Sequence, residues 1–276
     1  MDDPSVQRTR ISALFDRLAP VYDQGPIPWF TPIADRLVDL LSPAPGATAL
    51  DVGAGRGAAT FPLARAVGET GHVVAADISA AMIRLLTDSL QAAGTANVRT
   101  LVGEATPRTL PAGTFDLVAA SLVLFFDPDP AGTLRDWLAL LRPGGRIGIS
   151  TFGAQDVAWR HAEAEILRYA PTVADPRTSG VAGPFATPES LGLLFGEAGA
   201  TEVTIYEEPL EVALPDAAAW RDWTMTLGMR QIWDAVPPDE STAVVDRVGA
   251  LLEADRGADG LLHLTQQVRY TIARKP

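Results

Sequence analysis

Gly53, Gly55 and Gly57 stand at every second position, directly after the short apolar run Thr48–Val52 and before a stretch of helical periodicity that reaches Val67. Glycines so spaced let the backbone turn sharply and approach a ligand where a Cβ would clash, and the start of the following helix offers unpaired N–H donors. About 20 residues further on, the next apolar run, His72–Ala76, closes on Asp77, where a carboxylate can accept both hydroxyls of a ribose. A plainer role for Asp77 is that of a strand-end carboxylate capping the helix that starts at Ser79. With loop and acid in register, the pair predicts a nucleoside site at the carboxyl ends of two neighbouring strands. Gly53, Gly55 and Ala58 also satisfy G-x-G-x-x-A, so glycine spacing alone leaves a nicotinamide dinucleotide open.

Other chemistry is scarce. The chain has no cysteine, which removes disulfides, thiolate nucleophiles and thiolate metal sites together. Its three histidines, His72, His161 and His263, are far apart, so no metal site is expected. His161 is the only one in a predicted lid and is the natural candidate for a general base. Tyr22 is the alternative, able to orient an acceptor or close over a cofactor. Arg160-His161-Ala162-Glu163 also reads as an ordinary solvated helix face, and His72 and His263 read as structural.

These residues need a scaffold. Val6, Ile11, Leu14, Phe15 and Leu18 recur at helical spacing up to Pro20, and a second helical pattern runs from about Pro28 to Leu41. From residue 48 strands and helices alternate. Strands are expected at 48–52, 72–76, 98–102 and 146–152, with the long apolar run Phe115–Phe126 read as a central strand buried on both faces. Helices are expected after the glycine loop, from Ser79 toward Gln91, and over 131–141. This rhythm predicts an α/β fold with a doubly wound, mostly parallel sheet. After Phe152 it breaks. A short helix around Ala158–Tyr169 leads to a stretch punctuated by Pro171, Pro176, Gly180, Gly183 and Pro184, and Thr187-Pro188 starts a helix ending near Gly199. Thr201–Val212 and Leu261–Ile272 complete the strands, with helical segments at about 216–230 and 239–256 between them. The expected organisation is one domain: a helical arm over 1–42, a ligand-binding core over 43–152, lid insertions over 153–186 and 213–258, and remaining core elements over 187–212 and 259–276.

Several motifs in order resemble class I S-adenosylmethionine-dependent methyltransferases. Leu50-Asp51-Val52-Gly53-Ala54-Gly55-Arg56-Gly57 is similar to their first motif and Ala76-Asp77-Ile78-Ser79-Ala80-Ala81-Met82 to their second. Gly103-Glu104-Ala105 resembles the segment that faces adenine, with glutamate where aspartate or asparagine is usual. Phe115-Asp116-Leu117-Val118 with Ser121-Leu122, then Leu141-Arg142-Pro143-Gly144-Gly145-Arg146, completes the set. Phe15-Asp16 and Tyr22-Asp23 resemble the arm of the ubiquinone/menaquinone-type C-methyltransferases and their secondary-metabolite relatives. The resemblance implies a seven-stranded Rossmann-like methyltransferase fold with S-adenosylmethionine as cofactor. It assigns Asp51 and the glycine loop to the methionine end, Asp77 to the ribose, Glu104 to the adenine amine with Ala105 beside it in the adenine-facing segment, Ile78 and Met82 to the apolar faces of the ring, and Ser121 and Leu122 to the remaining cofactor contacts. A sulfonium methyl is already electrophilic, so a chain without cysteine or metal ligands is sufficient. A cyclase on the same scaffold, a nicotinamide-dependent oxidoreductase and a non-catalytic binding module are the competing readings.

Composition narrows the partners. Lys+Arg is 22 against Asp+Glu 34, a formal charge of −12, with a pI near 4.6. So acidic a surface repels phosphate backbones and anionic lipid, and no basic cluster offsets it, so neither nucleic acid nor membrane is expected. No apolar run reaches the roughly 18 residues of a membrane helix, and the acidic start Met1-Asp2-Asp3-Pro4 is unlike a signal peptide; a cytoplasmic protein, free to pair as a homodimer, is expected. Five of the six tryptophans fall in the arm and the two insertions, Trp137 being the exception. Tyr22, Phe125, Trp159, Phe185 and Trp223 are therefore expected to line a pocket for a hydrophobic or planar small molecule, although the insertion tryptophans could equally pack helix on helix.

Overall fold

The computed structural model describes residues 4–170, 180 and 182–276; Pro171 and Pro176 lie outside the described residues. Two helices come first, α1 (Pro4–Leu18) and α2 (Phe30–Leu41). The alternating core follows: β1 (Thr48–Val52), α3 (Thr60–Val67), β2 (His72–Asp77), α4 (Ala80–Ala92), β3 (Val98–Val102), β4 (Phe115–Ser121), α5 (Pro130–Leu140) and β5 (Leu141–Gln155). After β5 come α6 (Val157–Leu167), α7 (Pro188–Glu197), β6 (Thr201–Leu214), α8 (Ala217–Thr224), α9 (Arg230–Trp233), α10 (Ser241–Leu252) and β7 (Leu262–Arg274). The seven strands form one sheet in the order β3-β2-β1-β4-β5-β7-β6. β1 to β5 pair in parallel, and β7 runs antiparallel between β5 and β6.

The central strands are covered on both faces, as a parallel sheet with helical crossovers requires: Ala49, Leu50, Val118, Ala119 and Ala120 are all fully buried. On one of those faces α2 lays Ile33, Ala34, Leu37, Val38 and Leu41 against β4 and β5. That three-and-four spacing is the apolar stripe of a surface helix, and each buried Leu, Ile or Val contributes about 1.5–3 kcal/mol. The strand order reverses at β1 and β4. Their carboxyl ends diverge there, and the crevice between them is where an open α/β sheet takes its ligand.

Three expectations about elements are corrected. The apolar run Phe115–Phe126 is not one strand: β4 ends at Ser121, Leu122 takes φ 58°, and Leu124–Phe126 form a single 3-10 turn. The Leu122 N–H donates to the carbonyl and to Oγ of Ser150 on β5, both at 3.1 Å, which turns the chain across the crevice floor. The run stays apolar because the floor is buried. The segment expected to be helical over 216–230 stops at Thr224, whose hydroxyl donates back to the Trp220 carbonyl at 2.8 Å, and helix resumes only at Arg230. β5 also continues past Phe152 to Gln155.

Candidate functional site

A cleft of about 930 Å³ opens over the carboxyl ends of β1 and β4. Its floor is the glycine loop. Gly53, Gly55 and Gly57 have φ of 65°, 53° and 99°, a region in which only glycine is unstrained. At Gly53 the backbone also passes so close to the opposite wall that a Cβ would stand 2.4 Å from a Val123 methyl. Asp77 holds this loop in place: one carboxylate oxygen accepts from the Gly55 N–H and the other from the Ser79 N–H, each at 2.8 Å. The capping task at α4 belongs instead to Ser79, whose Oγ accepts from the Met82 N–H at 3.1 Å.

Asp51 lies at the bottom, 1% exposed, and accepts a 2.6 Å bond from the Thr60 hydroxyl. Burial pushes its carboxyl up to about 7, against the bond from Thr60 and with help from the nearby Asp77. Burial raises Asp77 as well, against its two backbone bonds. A cleft whose deepest groups are two strained carboxyls suits a ligand carrying positive charge and opposes a pyrophosphate. Because folding raises the Asp51 pKa, the folded state holds an extra proton between its usual 3.8 and about 7, and the free protein loses stability as pH rises through that window. Asp51→Asn keeps an acceptor for Thr60 while removing the buried charge. The thermal midpoint of the variant should exceed that of the unsubstituted protein at pH 8, and the gap should narrow steadily as pH falls through this window; equal midpoints at pH 8 would exclude a strained Asp51.

The other expected cofactor residues gather around the same cleft: Ile78, Met82, Glu104, Ala105, Ser121 and Leu122 all line it. Ser121 Oγ lies 3.0 Å from Ser150 Oγ, which ties the end of β4 to β5. Glu104 does not stand alone. Its carboxylate pairs with Arg8 of α1 at 3.2 Å, and Arg8 also reaches Asp127 at 3.5 Å.

The arm closes the other side. Ser12 Oγ donates to the Ile78 carbonyl at 3.0 Å, and Asp16 accepts from Ser79 Oγ at 2.6 Å and from the Ala81 N–H at 3.0 Å. Those two bonds, Ser79 first, hold the Asp16 carboxyl below its usual range. Arg56 of the glycine loop donates to the Ala19 carbonyl at 3.2 Å. Tyr22 stacks on Phe30 with centroids 4.8 Å apart and meets Phe15 edge-on at 5.7 Å; all three line the cleft. Burial, then the carboxylates of Asp23 and Asp77, raises the Tyr22 phenol above its usual value. Its hydroxyl therefore keeps its proton at neutral pH and can donate a hydrogen bond, but it is no base.

The remaining expectations are not gathered there. His161 is exposed on α6 and does not line the cleft, because the buried positions of α6 are Ala158, Trp159, Ala162 and Ile166 and the phase turns His161 outward. Phe125, Trp159, Phe185 and Trp223 are each at most 3% exposed and pack behind the cleft. Arg8, Ser12, Asp16 and Thr60 were not singled out by the sequence. Only Asp16 stood within a motif; Arg8 and Glu104 are too far apart in the chain for local pattern to connect them. Among the described residues no group of three His, Cys, Asp or Glu side chains is placed to hold a metal ion, and no helix is long and apolar enough to cross a membrane.

A family described as "Methyltransferase domain" matches residues 49–145. Nocamycin O-methyltransferase of Saccharothrix syringae is 36% identical over 273 residues, 95% of this chain and 97% of that protein. Aklanonic acid methyltransferase DauC of Streptomyces sp. (strain C5) is 36% identical over 151 residues, 55% of this chain and 68% of that protein. Among solved structures, the YcgJ protein of Bacillus subtilis superposes with a TM-score of 0.59 at 15% identity, covering 88% of this chain and 97% of that one, a likeness of fold.

Proposed function

The chain belongs to the S-adenosylmethionine-dependent methyltransferases, and from that premise we propose that it methylates an oxygen of a small, largely apolar, ring-bearing metabolite of secondary metabolism. The acidic, glycine-floored cleft closed by an aromatic arm carries this reading. The near full-length similarity to an O-methyltransferase supports oxygen as the methylated atom. The formal charge of −12 favours a small acceptor over a phosphate polymer.

S-adenosylmethionine supplies an electrophilic methyl group on a sulfonium when bound. Asp51 and the backbone of Gly53–Gly57 are then the seat of its amino-acid end and Asp77 that of the ribose. Glu104, oriented by Arg8, faces the adenine amine, with Ile78 and Met82 against the ring. Residues 4–42 act as an arm, with 153–170 and 213–258 packed against it as a lid, excluding water and aligning the acceptor oxygen. Tyr22 Oη keeps its proton and donates to the acceptor. With His161 facing outward, no side-chain base is assigned: an acidic enol ionises in water unaided, and a phenol loses its proton to solvent as its oxygen takes the methyl. Since an ionised Asp51 is the better partner for a cation, cofactor affinity should rise as pH climbs toward about 7.

The test is transfer of label from methyl-tritiated S-adenosylmethionine into organic-extractable product, run over hydroxylated ring compounds, with S-adenosylhomocysteine measured in parallel. Label in an O-methyl product with stoichiometric S-adenosylhomocysteine is expected. Acceptor turnover without gain of methyl would contradict the proposal and favour a cyclase.

A further inference from the structure

Glu163 is a carboxyl outside the cofactor cleft, with one bond to the end of β5 and no cation beside it. It stands one turn after Trp159 on α6. One oxygen accepts from Gln155 Nε2 at 3.1 Å, and no basic side chain is among the causes that shift it: its partial burial pushes it up to about 7, with the Gln155 bond and the nearby Trp159 N–H opposing. Glu163 is half-buried with no cation against it, and carboxyls so placed concentrate at sites that use them.

Its neighbour one turn back, Trp159, belongs to an aromatic cluster. Trp159 lies with its ring centroid 5.8 Å from Trp29 and 5.9 Å from Trp223, and Trp29 lies 5.2 Å from Trp223. Phe152 stacks on Trp29 at 6.0 Å with an interplanar angle of 28°. Two indole donors inside this cluster are unspent. The Trp223 N–H is fully buried and makes no hydrogen bond, and the Trp159 N–H leans on the Glu163 carboxyl without reaching hydrogen-bond geometry. A buried donor left unpaired costs about 1–3 kcal/mol. A close-packed aromatic cluster holding a few unsatisfied polar groups has the lining of a small-molecule site, whose volume opens only as the rings part.

The cluster adjoins the cleft: Trp29 precedes Phe30 and Phe125 precedes Phe126, and Phe30 and Phe126 line the cleft. Phe125 touches both Phe126, at 4.8 Å, and Phe152, at 6.0 Å. A molecule seated against these rings would thus lie beside the cofactor.

We propose that this aromatic compartment is the acceptor subsite, that Glu163 determines its specificity, and that it takes a planar, multi-ring molecule bearing a hydroxyl donor and a carbonyl. Glu163 accepts from the hydroxyl, and the indole N–H groups of Trp159 and Trp223 donate to the carbonyl. The inference rests on the methyltransferase reading above. The rings touch one another, so an acceptor must spread them, and its arrival alters the indole environment.

The test uses the whole protein saturated with S-adenosylhomocysteine, with 7-hydroxyflavone as probe, flavone as the control lacking the hydroxyl, and tryptophan fluorescence as readout. Quenching by 7-hydroxyflavone should saturate, and Glu163→Gln should weaken its binding at least tenfold while leaving that of flavone unchanged. Trp159→Phe, which keeps an aromatic ring but removes the donor and the pyrrole half, should weaken both ligands and serves if the glutamine variant does not fold. Equal affinity of Glu163→Gln and the unsubstituted protein for 7-hydroxyflavone, or no quenching by it, overturns the proposal. Calorimetry with S-adenosylhomocysteine separates the two readings. Intact cofactor binding beside a failed flavone result overturns the subsite alone, whereas no binding to the unsubstituted protein overturns the methyltransferase site and the subsite with it.

Discussion

Alanine at Asp77 should lower the affinity for S-adenosylhomocysteine by about two to four orders of magnitude. Two hydrogen bonds from ribose hydroxyls to a carboxylate contribute about 1.5–3 kcal/mol each, and every 1.4 kcal/mol is tenfold in binding. The same carboxylate also fixes the protein. In Asp77→Ala, the N–H groups of Gly55 and Ser79 lose their acceptors, so the glycine loop and the start of α4 loosen together. Each lost partner costs about 1–3 kcal/mol where water cannot replace it, and about 2–4 °C of thermal midpoint accompanies each kcal/mol in a domain of this size. Asp77→Asn separates the effects: it keeps one carbonyl oxygen for the loop but offers the ribose a single acceptor. Its midpoint should lie between those of the unsubstituted protein and the alanine variant, and its affinity should still fall at least tenfold. Calorimetry and thermal unfolding on the three proteins check both; unchanged affinity in Asp77→Ala would remove the ribose assignment.

The second large effect is expected at Gly53. A side chain there meets two penalties: φ of 65°, which costs a non-glycine residue about 1–2 kcal/mol, and the Val123 methyls 2.4 and 2.9 Å from the new Cβ, an overpacking that costs about 1–3 kcal/mol. Gly53→Ala should therefore destabilise the protein by roughly 2–5 kcal/mol. Val123→Ala deletes both clashing methyls and should recover the packing part but not the backbone part, so the double variant should be more stable than Gly53→Ala alone. Urea unfolding of the four proteins in the cycle measures this coupling. Additive losses would mean that Val123 does not crowd the loop.

Much of the scaffold was legible because parallel strands and their crossovers write themselves as short apolar runs alternating with helical spacing. β1 and the helices flanking it fall where periodicity put them. Legibility failed where burial is the same on both sides of a turn. Phe115–Phe126 is apolar throughout because the strand and the crevice floor are both interior, so nothing in residue type marks the bend at Leu122. It failed again for the aromatics. Composition placed tryptophans in the arm and lid, but not the layering, with Tyr22 and Phe30 at the cleft and Trp29, Trp159 and Trp223 packed behind them. His161 was recoverable: Trp159, Ala162 and Ile166 mark the inner face of α6, and His161 lies off it. The pairings of Arg8 with Glu104 and of Asp16 with Ser79 were not, since contacts that distant in sequence depend on how α1 settles on the finished sheet.

Diffraction from crystals grown with S-adenosylhomocysteine tests the assigned cleft most directly. The ribose hydroxyls are expected on the Asp77 carboxylate, the amino-acid end over Gly53–Gly57 above Asp51, and the adenine between Ile78 and Met82 with its amine toward Glu104. A nucleoside seated outside the glycine loop, or a ribose turned away from Asp77, would contradict this placement.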